Sequence, residues 1–245
     1  MHQFTAEVEE LAKEVLEYSL IRLRTDPPLD GPKTAQELYD LAGNTITEKG
    51  LGGHEALKLF KDVLAKACIS TDHPRYLAFI PSAPSEYANL FDLVVGASAL
   101  YGGSWLEGAG AVFAENQALK WISDLAGMPN TAGGVFVQGG TIGNLSALVT
   151  ARNTFRNKRK DVTRWVIAAS ADSHSSVKSA AEVMDVGILL IKPDKDGILQ
   201  GSACEVAIDK YHQENPSHQV FALVATAGTT NLGIIDNLKS ISVCA

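Results

Sequence analysis

The sequence predicts an α/β protein in which a mostly parallel sheet follows a helical N-terminal segment. Within residues 1–84, apolar side chains recur at helical spacing between acidic and basic ones. From Gly133 onward, short apolar runs typical of strands alternate with helical stretches. This alternation favours parallel strands with helices on both faces. We therefore divide the chain into a helical segment, residues 1–84, and an α/β segment, residues 85–245.

Composition excludes several classes of protein. The chain has 245 residues, 46% of them hydrophobic, which predicts a folded core. Its net charge of −7 argues against a nucleic-acid partner. No run of about 20 apolar residues predicts a membrane helix, and acids near the N-terminus argue against a signal peptide. Three widely spaced cysteines without a CxxC favour a reducing, cytoplasmic location over disulfides or a zinc site.

Helical patterns precede and open the α/β segment. Thr34 and Glu37 form a capping-box pattern that opens one short helix, and Gly43 follows as its stop. The run before residue 100 is largely apolar, so we expect that helix to be buried. The predicted helices are residues 4–23, 34–43, 54–68, 86–100 and 108–125.

Four short apolar runs are predicted to be strands, with helices between them. Ligands bind beyond the carboxyl ends of strands in parallel α/β sheets. We therefore expect binding residues in the segments that follow these strands. The predicted strands are residues 133–137, 164–169, 187–191 and 219–225, and the segments that follow them are 138–144, 170–174, 192–194 and 226–230.

The segment after the first predicted strand contains Gly139, Gly140 and Thr141 and leads into a helix. Free backbone N–H groups at a helix N-terminus bind phosphate. The spacing matches neither a Walker A loop nor GxGxxG, so a dinucleotide site is disfavoured. Two interpretations remain from spacing: a phosphate site, or an ordinary turn with Thr141 as the N-cap.

His174 follows the second predicted strand and opens a helix. A histidine there acts as a base, a ligand or a stacking surface, or it is simply a hydrogen-bonded residue at a helix start. The other histidines have no metal-ligand spacing, and we predict no metal site. Thr226, Thr229 and Thr230 either bind a polar ligand or form a turn around Gly228.

Two further segments keep two interpretations each. A basic run between Arg152 and Arg164 is a polyanion site or, as we favour, a solvated helix end. The segment with Tyr76, Phe79 and Pro81 belongs to the core or to a pocket wall.

Taken in order, several of these pieces resemble the group II pyridoxal-phosphate-dependent amino-acid decarboxylases, which act on aromatic amino acids, glutamate, histidine and diaminobutyrate. The resemblance begins near residue 50 and implies the large domain of the fold-type-I, PLP-dependent transferase-like fold. The matching pieces are His73-Pro-Arg-Tyr76, Phe79-Ile-Pro-Ser82, Gly103-Ser-Trp105, the run from Gln138 to Leu148, the run from Ser170 to Val177, the run from Ala225 to Thr230, and Asp236-Asn-Leu238.

The resemblance implies roles for these residues. Gly140 and Thr141 would hold the phosphate of pyridoxal 5'-phosphate, His174 would stack on its ring as the catalytic residue, and Thr230 would lie beside it. An amino-acid substrate would lose its carboxylate while the ring takes up the electron pair. Relatives are homodimers, with the N-terminal helices against the second subunit. Residues matching substrate-pocket positions are Phe79, Pro81, Ser82 and Trp105.

The resemblance also implies that part of the enzyme is missing. In relatives, the Schiff-base lysine and the aspartate at the ring nitrogen follow the Thr230 motif, so we expect both beyond Ala245. Residues 107–115 depart from the family pattern, in which a proline and more acidic residues are usual. Two alternatives remain. One is another fold-type-I enzyme, such as an aldehyde-releasing lyase or an aminotransferase, and the other is a non-catalytic remnant.

In the family, the sheet has the strand order 3-2-4-5-6-7-1, with the strands numbered along the chain. This chain would supply strands one to four. Strands two, three and four would then be neighbours, and strand one would stand beside a gap. Exposed strand edges promote aggregation. We therefore expect a truncated large domain whose 245 residues are, alone, poorly soluble or inactive.

Overall fold

The computed structural model describes residues 3–79 and 82–244, which pack into two compact units, Met1–Leu100 and Tyr101–Ala245. This division reflects internal packing. The domain boundary between residues 84 and 85 stays a prediction. Among the described residues, no helix is both long and apolar enough to cross a membrane.

Helices make up the regular structure of the first unit: α1 (Ala6–Arg24), α2 (Ala35–Ala42), α3 (Gly53–Leu59) and α4 (Glu86–Ser98). A π turn, Phe60–Leu64, and a 3-10 turn, Ala65–Ala67, extend α3 to the end that the sequence predicts. The predicted capping box is confirmed: the Thr34 hydroxyl accepts the Glu37 N–H, and Glu37 accepts the Thr34 N–H at 2.7 Å. Tyr18 meets Phe60 edge to face, which joins α1 to the π turn.

The predicted burial of α4 is wrong, although the helix itself is present. None of its residues is buried, and Phe91 and Leu93 are 64% and 62% exposed. An apolar run of this length is compatible with a core helix or with a helix whose face packs on something outside the described chain. Periodicity therefore predicted the helix correctly but could not predict what covers it.

In the second unit, α5 (Trp105–Leu125) and α6 (Gly139–Lys158) precede a sheet of β1 (Arg164–Ser170), β2 (Gly187–Ile191) and β3 (His218–Val224). The helices α7 (Ser175–Val183), α8 (Gly201–Glu214) and α9 (Leu238–Cys244) follow the strands in turn. Non-helical backbone at Gly108 kinks α5 near its start.

The sheet is parallel with the order β2-β1-β3, and β1 is its centre. This is the predicted arrangement of the second, third and fourth strands. Residues 166–169 of β1 are fully buried because helices cover both faces. Leu148 of α6 and Val177 of α7 pack on one face, and Cys204 of α8 and Ile241 of α9 pack on the other.

The predicted strand at residues 133–137 is wrong. Its residues pair with no strand of the described chain, and Val135 and Phe136 are 63% and 57% exposed. The Phe136 N–H instead donates to the Glu115 carboxylate at 3.1 Å. A strand needs a neighbour with which to exchange backbone hydrogen bonds. In the order implied by the resemblance, that neighbour is the seventh strand, which these residues do not supply.

Candidate active site

The candidate site lies at the carboxyl edge of the sheet. The loop with His174 follows β1, and the loop with Thr230 follows β3. Since β1 and β3 are adjacent and parallel, both loops leave the same edge. The helix α6 directly precedes β1 in the chain and runs antiparallel to it. The N-terminus of α6 therefore lies at this edge too. Sheet topology thus gathers the segments that follow β1 and β3 with the start of α6.

Gly139 and Gly140 open α6 without a side-chain cap. The N-cap residue is Gln138, and its side chain accepts no N–H of the first turn. Thr141 lies inside the first turn, so the interpretation of Thr141 as N-cap is wrong. Gly139 has a φ of +82°, which favours glycine, and a Cβ on Gly140 would meet no atom of the described chain within 4 Å.

This helix start has the donor set that a phosphate needs. The first-turn N–H groups of a helix have no partner within the helix, and the helix dipole adds partial positive charge there. Among the residues that the structure describes, none occupies the space above Gly140 and no side chain caps the first turn of α6. The residues present therefore fit a phosphate group, although spacing alone left the ordinary turn open.

His174 is the N-cap of α7, and its ring Nδ1 accepts the Ser176 N–H at 3.2 Å. The Ser176 hydroxyl lies 2.8 Å from the same Nδ1. The Asn144 amide of α6 donates to that hydroxyl, also at 2.8 Å. His174 is exposed while Ser176 is buried, so one edge of the imidazole is held and the rest faces outward. This hydrogen bonding is what the helix-start interpretation predicts for His174.

Thr230 lies in the turn between β3 and α9, and it is exposed. Its neighbour Thr229 orders that turn: the Thr229 N–H donates to the Ile234 carbonyl at 2.9 Å, and its hydroxyl accepts the Ile234 N–H at 3.1 Å. Asp236 closes the loop by accepting the Thr226 N–H at 2.7 Å. The turn interpretation holds for Thr229 and leaves the Thr230 hydroxyl open to a ligand.

The predicted substrate-pocket residues lie in both units. Phe79 and Ser82 belong to the first unit and are exposed, and Phe79 has a φ of +59°, which is unusual for a bulky side chain. Trp105 is the first residue of α5 and is 59% exposed. Pro81 lies outside the described residues. Exposure of these side chains does not fit burial in a core within the described chain.

Sequence reasoning missed the roles of Asn144, Ser176 and Asp236. All three stand in the quoted motifs, and their spacing carries a signal. Asn144 follows Thr141 by three residues, so both face the same side of α6. Ser176 follows His174 by two residues, within reach of an N-cap side chain. Neither spacing indicates that Asn144 of one pair contacts Ser176 of the other.

A separate open cavity of about 520 Å³ lies at the C-terminal end of α6 and contains none of the predicted site residues. Arg156, Arg159 and Lys160 of the basic run line it beside Trp165. Arg159 pairs with the exposed Asp161 at 3.0 Å, which raises the pKa of Arg159. The surface position of this run agrees with its interpretation as a solvated helix end.

The sequence model of a protein family, the pyridoxal-dependent decarboxylase conserved domain, matches residues 37–245. The chain belongs to the pyridoxal-dependent decarboxylase family. The predicted family is thereby confirmed, and the cofactor of the family is pyridoxal 5'-phosphate, as predicted.

Similar proteins agree with this membership. The chain is 30% identical over 202 residues to an aromatic-L-amino-acid decarboxylase of Bacillus atrophaeus, across 81% of this chain and 41% of that protein. It is 26% identical over 224 residues to a 3,4-dihydroxyphenylacetaldehyde synthase of Aedes aegypti, across 83% of this chain and 42% of that protein. The chain thus spans about two fifths of the length of these relatives.

Solved structures of pyridoxal-dependent decarboxylases share the fold. The tryptophan decarboxylase of Catharanthus roseus, solved with L-tryptophan, superposes with a TM-score of 0.86 at 18% identity, over 99% of this chain and 54% of that one. The predicted fold class, a fold-type-I α/β large domain after a helical segment, is confirmed.

Proposed function

We propose that this chain is the cofactor-binding part of a pyridoxal-phosphate-dependent amino-acid decarboxylase. One observation carries the proposal: the uncapped start of α6 is tied to the imidazole of His174 through Asn144 and Ser176. A phosphate-binding helix start and an aromatic ring are thereby held beside each other. That pairing suits a ligand with a phosphate and a flat ring.

Gly140 and Thr141 bind the phosphate in this proposal. Their N–H groups and the dipole of α6 supply positive potential, and the absence of a side chain on Gly140 lets the anion approach the backbone. The Thr141 hydroxyl adds a donor in the same turn. Each hydrogen bond to a charged group contributes about 1.5–3 kcal/mol.

His174 orients the ring of the cofactor by stacking, and Thr230 contacts it from the loop after β3. When bound, pyridoxal phosphate withdraws electrons from the bond to the substrate carboxylate. The task of His174 is to keep the ring in one plane, so that this bond stands in the productive direction. The contacts of Ser176 and Asn144 support that role because they restrict rotation of the imidazole.

Phe79, Pro81, Ser82 and Trp105 bind the amino-acid substrate in this proposal. The lysine that binds the cofactor covalently and the aspartate at the ring nitrogen come from residues beyond Ala245. The 245 residues by themselves are then without decarboxylase activity. The complete enzyme is a cytoplasmic homodimer, and the exposed apolar side chains of α4 are available for a subunit contact.

Similarity to the 3,4-dihydroxyphenylacetaldehyde synthase of Aedes aegypti favours an aldehyde-releasing lyase as the second candidate. Both reactions release the carboxylate, but the amine product keeps the substrate nitrogen and the aldehyde product has lost it. An aminotransferase would instead yield a 2-oxo acid, and a remnant would yield no product. Product analysis with the complete enzyme and candidate amino acids separates all four.

Binding of pyridoxal phosphate tests the site directly. We expect Thr141→Val to weaken binding about tenfold or more, because a hydrogen bond to a charged oxygen is lost. Thr154→Val, an exposed threonine further along α6, is the matched control and should bind as the wild type does. Fluorescence titration measures both, and equal affinity of the two variants would reject the phosphate site.

A further inference from the structure

Asn144 of α6 and Ser176 of α7 form a continuous hydrogen-bonded path to His174. The Asn144 Nδ2 lies 2.8 Å from the Ser176 Oγ, and that Oγ lies 2.8 Å from the His174 Nδ1. The Ser176 backbone N–H also points to Nδ1, at 3.2 Å. Ser176 is 2% exposed, so water does not compete for its hydroxyl.

The chemistry of the donors fixes the direction of this path. A backbone N–H can only donate, so the His174 Nδ1 accepts and carries no proton. The Asn144 amide donates to the serine oxygen, which leaves the single hydroxyl proton of Ser176 for Nδ1. Both bonds to Nδ1 therefore require the same tautomer, with the ring proton on Nε2.

We propose that Asn144 and Ser176 are positioning residues that hold the imidazole of His174 in the tautomer with its proton on Nε2. The proposal deepens the proposed function and rests on it for the ring that His174 faces. The consequence of this positioning is a fixed spacing between the bound phosphate and the imidazole of His174. Asn144 lies one turn beyond Thr141 on α6, so the helix start that binds the phosphate also orients the imidazole.

Reversing the path gives the sharpest test. In Asn144→Asp the carboxylate can only accept, so the Ser176 hydroxyl turns toward it and its oxygen then accepts a hydrogen bond from a protonated Nδ1, which replaces the longer 3.2 Å bond from the Ser176 backbone N–H. We expect the Nδ1 of His174 to become protonated in this variant. The double variant Asn144→Asp/Ser176→Ala removes the hydroxyl that links the two groups, so its His174 ring shifts should match those of Ser176→Ala alone. A purely through-space effect of the new charge would persist in the double variant.

The measurement is the ¹⁵N chemical shifts of the His174 ring in the full-length labelled protein, with and without pyridoxal phosphate. The His174→Gln variant assigns the signals. Asn153→Asp places the same charge on α6 nine residues away, about 13 Å along the helix, and should leave the shifts as in the wild type. An Asn144→Asp spectrum with an unprotonated Nδ1, or a double variant whose ring shifts differ from those of Ser176→Ala, would overturn the proposal.

A second pair of variants keeps the test decisive if Asn144→Asp does not fold. Ser176→Ala removes one of the two donors to Nδ1 and keeps the backbone N–H, so the share of the tautomer protonated on Nδ1 should rise and the two ring shifts should move toward each other. Ser176→Thr keeps a hydroxyl and should keep the shifts apart, and a Ser176→Ala spectrum identical to the wild type would contradict the proposal. If the protein binds no pyridoxal phosphate, the proposed function fails while the tautomer result in the ligand-free protein stands. If the cofactor binds and the ring shifts ignore Asn144, only the positioning role fails.

Discussion

The guanidinium of Arg22 and the carboxylate of Asp72 meet through two parallel hydrogen bonds, Nε–Oδ2 at 2.5 Å and Nη2–Oδ1 at 2.8 Å. They join the last turns of α1 to the segment that leads to Phe79. The Arg22 side chain is 30% exposed and that of Asp72 is 24% exposed. The hydrogen bond from Arg22 lowers the pKa of Asp72, although burial opposes this change.

Removing this pair should destabilise the protein. We expect Arg22→Ala to lower the free energy of unfolding by about 1–2 kcal/mol, because a partly buried charged pair is worth more than a surface pair. The exposed pair of Lys58 and Asp62 is the matched control, and Lys58→Ala should lower the free energy of unfolding less than Arg22→Ala does. Urea unfolding at pH 7 compares the two, and equal losses would contradict this prediction.

The same pair predicts a pH dependence. The folded-state pKa of Asp72 lies below its unfolded value, so its contribution to stability is present above pH of about 4. That contribution disappears as the pH falls through the lowered folded value. The difference in urea midpoint between the wild type and Asp72→Asn should therefore shrink below pH 4, and a difference that persists at lower pH would contradict the linkage.

Asp236 is a buried carboxylate that organises the loop holding Thr230. It accepts the Leu199 N–H at 3.0 Å and the Thr226 N–H at 2.7 Å. In Asp236→Asn one oxygen becomes an N–H₂ group that faces a donor, so a buried N–H loses its partner. We expect a loss of about 1–3 kcal/mol in the free energy of unfolding. The exposed Asp209→Asn is the control, and a variant no less stable than this control would contradict the assigned role.

Sequence patterns predicted the helices because these depend on local periodicity. The resemblance to the decarboxylase family predicted the order of the paired strands, which these residues contain. Residues 133–137 have the composition of a strand, but a strand forms only where a second chain segment exchanges hydrogen bonds with it. The exposed face of α4 follows the same rule, since an apolar run specifies that a face needs cover and not which segment supplies it. For both elements, the sequence did not predict which segment packs against or pairs with them.

Within the site, sequence placed His174 and Thr141 at the correct ends of their elements. It did not predict that Asn144 and Ser176 meet, because their contact joins α6 and α7 across 32 residues of chain. The capping role of His174 and its proposed contact with the cofactor do not exclude each other. Its Nδ1 makes the cap, and the rest of the exposed ring is free to face a ligand.

Gly201, the first residue of α8, is packed against α9. A Cβ there would lie 2.1 Å from the Ser240 carbonyl oxygen, and the Gly201 N–H donates to the Ser240 hydroxyl at 2.9 Å. We expect Gly201→Ala to lower the free energy of unfolding by about 1–3 kcal/mol, since backbone must move. Gly110→Ala, where a Cβ on α5 meets nothing within 4 Å of the described chain, should be neutral or stabilising by about 1 kcal/mol. Thermal unfolding compares them, and a Gly201→Ala variant as stable as the wild type would mean that α9 packs differently.

Cys204 is fully buried between α8 and the sheet, and burial, with smaller contributions from Cys244 and Asp236, raises the pKa of its thiol to about 11. At pH 8 only about 0.1% of it is thiolate, and the thiolate is the reactive form. Cys68 is exposed. We expect a maleimide to label Cys68 in the native protein and Cys204 only after unfolding, with peptide mass spectrometry as the readout. Native labelling of Cys204 at the rate of Cys68 would contradict the buried position.

The raised pKa of Cys204 also sets the behaviour of the fold at high pH. The folded state binds the thiol proton more tightly than the unfolded state, whose pKa is about 8.5. The stabilisation is therefore complete below pH 8.5 and is lost as the pH rises toward about 11. Urea midpoints between pH 8 and 11 should fall more steeply in the wild type than in Cys204→Ala, which lacks this proton. Cys68→Ala changes an exposed residue and is the control, which should follow the wild type. Parallel curves for all three proteins would show that Cys204 does not titrate with unfolding.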